Sequence, residues 1–269
     1  MNEEFFRKLE AACEQVYNAP NQEQRKMAEL QLAGFSRVES AAELKMIFDK
    51  SKNPYALFFA ASQLLKLFTN QWNAFSKNQK NEIRNFFCNY MGQNGPNLPN
   101  FVAQVIYQLL GRITKLGWLD EQGNRDLPEQ IKKYFIQPRN PVISTIGIQL
   151  LNSIIQEMNT LTSRKSLTQH RKIAVSFRDL SLRGIFETSI FTLKEVLIEE
   201  KAPQTANQKL SNEALELALN CLKFDFVGIF PDESTEDVGT IQIPSPWRPL
   251  FEESDTVELF WNLYAALPS

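Results

Sequence analysis

The sequence has one histidine, three cysteines and ten glycines in 269 residues, and each scarcity narrows what the chain can be. A Ser-His-Asp or Cys-His catalytic site would have to use His170, the sole imidazole. That residue stands in Thr168-Gln169-His170-Arg171-Lys172, a polar and basic helix start, which predicts a surface position rather than a catalytic one. There is no GxxxxGK[ST] phosphate loop, no GxSxG nucleophile elbow and no HExxH zinc pair. The expectation is a protein that is not an enzyme and uses no cofactor. Cys13, Cys88 and Cys221 are odd in number, far apart and free of CxxC pairing. They predict three buried free thiols in a reducing compartment rather than disulfides or a metal site.

Charge of one sign is also lacking. The net charge of −2 gives no basic field to collect nucleic acid. The basic group Arg164, Lys165, His170, Arg171, Lys172 and Arg178 has no stacking aromatics interleaved on the polar side of its helix. It is expected to bond between turns or repeats, with Arg178 or Arg171 pairing with carboxylates such as Asp179. The N-terminus begins Asn2-Glu3-Glu4 with no apolar signal core, and no run reaches the ~18 apolar residues of a spanning helix. A nuclear or cytosolic protein without membrane insertion is expected. No long stretch alternates apolar and polar residues as half-buried strands do.

What the sequence does have is helical periodicity, segment after segment. Phe5, Leu9, Ala12 and Val16 form one stripe, ended by Asn18-Ala19-Pro20-Asn21. A second helix runs through Met27, Leu30, Leu32 and Phe35, and a third over about 40–50 with Leu44, Ile47 and Phe48 inward. Asn53-Pro54 opens the next, with asparagine at the cap and proline where no N–H partner is needed. Leu57, Ala61, Leu64, Leu65 and Phe68 are its expected core face. Further helices are expected over about 77–90, then through Val102, Val105, Ile106, Leu109, Ile113 and Leu116, and, after a break at about 117–128, up to Ile136. Asn140-Pro141 repeats the asparagine–proline device and opens a helix to about Met158. Two helices meeting near Leu182-Arg183-Gly184 cover 166–200, another covers 211–224, and the last covers 256–267 with Val257, Phe260, Leu263 and Tyr264 inward.

Pro54 and Pro141 lie 87 positions apart, two units of about 43, within the ~40–47 residue period of HEAT-type repeats. The predicted fold is all-α: a right-handed α-solenoid superhelix of about six HEAT repeats, each an antiparallel helix pair that buries its apolar face on its neighbours. A compact all-α globule is the alternative on pattern alone. Repeats 1–3 are assigned to residues 1–118 and repeats 4–6 to 119–269. The second group carries an acidic, proline-containing insertion at about 225–254, with Pro231, Pro244, Pro246 and Pro249 excluding a continuous helix. From Phe224 to Glu258 nine acidic residues face one base, Arg248, so this is either a solvated loop or a partner-contacting one. Within it, Thr240–Ile243 alternates weakly. The final helix lacks the polar face of a solenoid cap, which suggests that the natural protein continues.

Three stretches carry a resemblance. Arg25–Phe35, with Ala28, Glu29, Leu32 and Phe35 as its structural core, resembles the first-repeat signature of the importin-β (karyopherin-β) family. Ile113-Thr114-Lys115-Leu116-Gly117-Trp118, and Gln169–Ala174 followed by Ser176-Phe177-Arg178-Asp179, resemble its exportin-seven subgroup. So do Asn220–Phe226, Asp232-Glu233-Ser234, Gln242-Ile243-Pro244 and Trp247-Arg248. The resemblance implies the amino-terminal, Ran-GTP-binding part of a nuclear export receptor. Such a receptor shuttles between nucleus and cytoplasm, carries protein cargo and passes nuclear pore proteins. It also implies that Trp118 and Trp247 pack at inter-repeat corners. An α-solenoid interaction scaffold without a nucleotide switch, or an import or bidirectional receptor, stays open as the alternative.

The family places Ran contacts on the inner helices of the first three or four repeats, here about 22–37, 54–71, 99–116 and 141–158. The expected partner surface is Gln63, Lys66 and Asn70 on the second of these and Gln104, Gln108, Arg112 and Lys115 on the third. These polar side chains fall on stripes away from the apolar faces.

Overall fold

The computed structural model describes residues 3–120, 124–161, 166–198, 204–224, 243–252 and 255–265. Among these the regular structure is helical throughout, with no strand, in the helix-pair arrangement of an all-α HEAT-type protein. The chain divides into two compact units, Met1–Asp120 and Glu121–Ser269.

The first unit holds α1 (Glu3–Asn18), α2 (Gln22–Leu32), α3 (Ala41–Lys50), α4 (Pro54–Gln71), α5 (Lys77–Asn94) and α6 (Asn100–Leu116). Side-chain caps fix the helix starts. Asn53 Oδ1 accepts from the N–H groups of Tyr55 at 2.9 Å and Ala56 at 3.3 Å, with Pro54 as the first helical residue. Ser76 and Gln79 form a reciprocal capping box at the start of α5. α1 packs on α2 and α4 and is tied to the entry of α4. The Ser51 hydroxyl donates to Glu10 Oε1 at 2.5 Å, and Asn53 Nδ2 donates to Glu14 Oε1 at 2.5 Å.

Helices α4 and α6 lie side by side and run parallel. Near their starts the rings of Phe58 and Phe101 are 5.6 Å apart. Near their ends Arg112 Nη1 donates to Thr69 Oγ1 at 2.6 Å. Residues 58 and 101, like 69 and 112, stand 43 positions apart, so the repeat spacing read from the two prolines is also the period of packing. Leu57, Ala61, Leu64 and Phe68 on α4 are buried, as are all six expected core positions of α6 from Val102 to Leu116. Leu65 is only half-buried.

The second helix differs from expectation. Met27 and Leu30 are 59% and 70% exposed. The buried positions are Ala28, Leu32 and Phe35, spaced by four and three, while Glu29 is exposed and pairs with Arg25 at 3.3 Å. Two apolar stripes share this helix, and packing selects the one that sets Phe35 against Phe59 of α4, with ring centroids 5.7 Å apart.

In the second unit, α7 (Leu127–Ile131) runs into a π turn over Lys132–Ile136, where Gln137 N–H donates to Lys132 O at 3.0 Å. Then come α8 (Pro141–Asn159) and α9 (Leu167–Phe177). A second π turn (Arg178–Leu182) joins α9 to α10 (Arg183–Ile198), where the sequence predicts two helices meeting. Next are α11 (Gln204–Leu222), α12 (Pro249–Glu252) and α13 (Thr256–Ala265). Asn140 caps Val142 and Ile143 at 3.1 and 3.2 Å, matching Asn53. Gly147 lets α8 approach the π turn, since a Cβ there would lie 2.6 Å from Phe135 Cβ. Helices α8 and α11 share a polar seam. Gln149 Nε2 donates to Glu213 Oε1 at 2.6 Å, and Asn220 Nδ2 donates to Asn152 Oδ1 at 3.1 Å.

Several local expectations are corrected here. His170 is 4% exposed, so it is buried rather than at the surface, because α9 turns this side of its first turn inward with Ile173 and Ala174. Cys13 and Cys221 are buried free thiols, whereas Cys88 is half-buried on α5. α11 begins at Gln204, earlier than expected. On α13, Thr256 and Leu259 face inward, Phe260 and Leu263 are half-buried, and Val257 and Tyr264 are exposed. Arg178 pairs with its neighbour Asp179 at 2.8 Å, and Trp118 and Trp247 are both buried. Trp247 stacks on Phe186 with centroids 5.4 Å apart. Of the expected insertion, 225–242 and 253–254 lie outside the described residues, and so does most of the alternating piece 240–243.

Candidate partner-binding face

The parallel packing of α4 and α6 turns one edge of each helix inward and leaves polar residues exposed on the other. On α4 that edge carries Lys66 and Asn70, both exposed, with Gln63 half-buried beside them. On α6 it carries Gln104 and Gln108, both exposed. Gln104 Nε2 reaches Asn100 Oδ1 at 3.5 Å, along its own helix. Thr69 and Arg112 join the two edges. The threonine hydroxyl donates back to Leu65 O at 2.7 Å and accepts from the half-buried guanidinium of Arg112. Arg112 is therefore partly spent on holding the helices together.

Lys115 does not belong to this edge. It is 0% exposed and is engaged by protein groups. The stripe Gln104–Gln108–Arg112–Lys115 passes from exposed through half-buried to buried, because Thr114, Lys115, Leu116, Gly117 and Trp118 are all covered at the end of α6. Helical spacing predicts a shared face; it does not reveal that the last turn sinks into the protein. Six of the seven expected surface residues are thus at least partly accessible, and the seventh is internal.

The sequence reading did not single out an aromatic row at the opposite end of the same helices. Tyr17 of α1 stacks on Tyr55 with ring centroids 5.6 Å apart and meets Phe58 edge-on at 5.4 Å. Tyr55 and Phe58 each contact Phe101, at 6.1 and 5.6 Å. Tyr17 and Phe101 keep part of their rings in solvent. Burial, with a smaller push from Cys13, holds the Tyr17 phenol above its ordinary pKa against the opposing charge of Arg25. The 43-residue step from Phe58 to Phe101 is the signal by which the sequence could have paired them.

No group of three or more His, Cys, Asp or Glu side chains able to hold a metal occurs among the described residues. None of their helices is long and apolar enough to cross a membrane.

A helix-pair protein of this kind, with α4 and α6 packed 43 residues apart, is the class to which the sequence comparisons also lead. An importin-beta N-terminal domain matches residues 28–93, from the buried Ala28 of α2 to the last turn of α5. Nearly the whole chain is also similar to exportin and Ran-binding proteins: it is 36% identical over 266 residues to Ran-binding protein 17 of Homo sapiens. It is 35% identical to Exportin-7-A of Xenopus laevis over 266 residues, and to Ran-binding protein 16 of Drosophila melanogaster over 275. These alignments cover 97–98% of this chain and 24% of each relative, so the chain spans about a quarter of the length of the proteins it matches.

Proposed function

We propose that the chain is the amino-terminal, Ran-GTP-binding part of a nuclear export receptor that carries protein cargo past nuclear pore proteins and shuttles between nucleus and cytoplasm. One observation carries this reading: nearly the whole chain aligns with proteins named as exportins and Ran-binding proteins. The α4–α6 edge is where the reading places Ran. Lys66, Asn70, Gln104 and Gln108 offer one cation and several amide donors and acceptors on helices whose opposite faces are locked in the core. A polar edge of this sort suits a partner whose loops change with the γ-phosphate, because hydrogen bonds and charge contacts made to one loop arrangement and not the other supply the differential affinity a switch needs. Gln63 and Arg112 flank it and contribute less, since each is partly covered.

The test is the double variant Lys66→Glu with Gln108→Glu. Both positions are exposed, so helix content and melting temperature should match the parent, while affinity for Ran-GTP falls at least about tenfold, or about 1.4 kcal/mol. Parental affinity in the folded variant would remove this edge from the interface.

A further inference from the structure

The sequence holds one Ser-Pro dipeptide and no Thr-Pro, and that dipeptide, Ser245-Pro246, is followed by Trp247 and Arg248. Two aromatic anchors pin this stretch to α10. Trp247, 3% exposed, stacks on Phe186, and Phe251 lies against the same ring with centroids 5.5 Å apart. Arg183 Nη1 donates to Pro246 O at 3.0 Å. With Trp247 turned inward, Ser245, Pro246 and Arg248 are all left exposed, the arginine side chain by 74%. A hydroxyl, a proline and a cation thus stand together in solvent, the proline one residue and the cation three residues after the serine.

Each of these offsets has a meaning to a protein kinase. Proline has no N–H, so it suits an apolar slot without an acceptor, where any other residue would leave an N–H unpaired. A guanidinium three residues on pairs with an anionic group beside the kinase active site. On the other side of the serine, Pro244 has φ −57° and ψ 138°, the extended form in which such a cleft takes its substrate. Two backbone bonds close the short turn at Ser245–Trp247: Trp247 N–H donates to Pro244 O at 2.8 Å, and Arg248 N–H to Ser245 O at 3.1 Å.

We propose that Ser245 is a phosphorylation site for a proline-directed serine/threonine kinase that also reads the basic residue three positions on, with ATP as phosphoryl donor. In the transfer the Ser245 Oγ–P bond forms and the bond from the γ-phosphorus to its bridging oxygen breaks. ADP leaves, and the hydroxyl proton passes to the catalytic aspartate of the kinase. The product adds about two negative charges to a stretch, Phe224 to Glu258, that already sets nine acidic residues against one base. The kinase has to open the two turn bonds, so the folded chain reacts more slowly than a free peptide of residues 240–252. This inference is independent of Ran binding.

Incubation of the purified whole chain with a cyclin-dependent kinase–cyclin complex and Mg-ATP tests it, read by intact mass and by fragmentation of the digested protein. The expected result is one phosphate on Ser245, absent from Ser245→Ala. Pro246→Ala and Arg248→Gln change exposed side chains, so both should fold as the parent does, yet each should be phosphorylated at least about tenfold more slowly. The peptide of residues 240–252 is assayed beside them. No phosphate on Ser245 in the folded chain, whether or not the peptide reacts, or an undiminished rate in either folded variant, would overturn the proposal.

Discussion

Lys66 and Lys115 look alike in the sequence: each is a lysine off the apolar stripe of its helix. Lys66 is exposed on α4, while Lys115 is wholly buried at the end of α6. Charge reversal separates them. Lys115→Glu places the wrong charge inside the protein and should lower unfolding free energy by about 3 kcal/mol or more in denaturant titration. Lys66→Glu should stay within about 0.5 kcal/mol of the parent. Equal losses would mean that the burial of Lys115 is misassigned. The thiols differ in the same way. Burial, reinforced by Glu10 and Glu14, pushes Cys13 up to about 12, and burial alone raises Cys221. At pH 8 both are protonated in the folded state, so iodoacetamide should modify half-buried Cys88 first and reach the other two only on unfolding. Rapid native labelling of Cys13 would contradict this. The sequence predicts free thiols correctly, but not that Cys88 is half-covered or that His170 is buried, because depth depends on which neighbour lies across each helix face.

Elements were most legible where a cap and a long apolar stripe agree. Asn53-Pro54 and Asn140-Pro141 open α4 and α8, and the stripes of α4 and α6 point inward almost residue for residue. Legibility failed on α2 and α13, short helices that carry apolar residues on more than one side. Composition offers two buried faces there, and only tertiary neighbours choose between them. The close approach of α8 to the π turn was also hidden, since Gly147 reads as an ordinary helical glycine. Its role predicts a contrast. Gly147→Ala drives a Cβ to within 2.6 Å of Phe135 Cβ and should cost about 1–3 kcal/mol by overpacking. Gly34→Ala meets nothing within 4 Å and should be neutral or slightly stabilising. Thermal unfolding of the two variants checks this, and a Gly147→Ala protein as stable as the parent would show that α8 and the turn are not in such close contact.

For the molecule as a whole, the fold class and the family resemblance were readable from repeat spacing and local signatures, whereas the exposure of the seven expected surface residues was not fully readable, since Lys115 is buried. The spacing of 43 residues between Thr69 and Arg112 turns a sequence period into a structural one, and the edge it organises is central to the functional reading. A nucleotide-switched partner must be held much more tightly in one state than in the other, because moving it from mostly free to mostly bound requires a differential affinity of several kcal/mol, on the order of 10³–10⁴-fold. Titration of the purified chain against Ran loaded with GTP or with GDP measures that difference directly. The account predicts salt-sensitive binding to Ran-GTP and little binding to Ran-GDP; equal binding to the two forms would contradict it and favour a scaffold without a nucleotide switch.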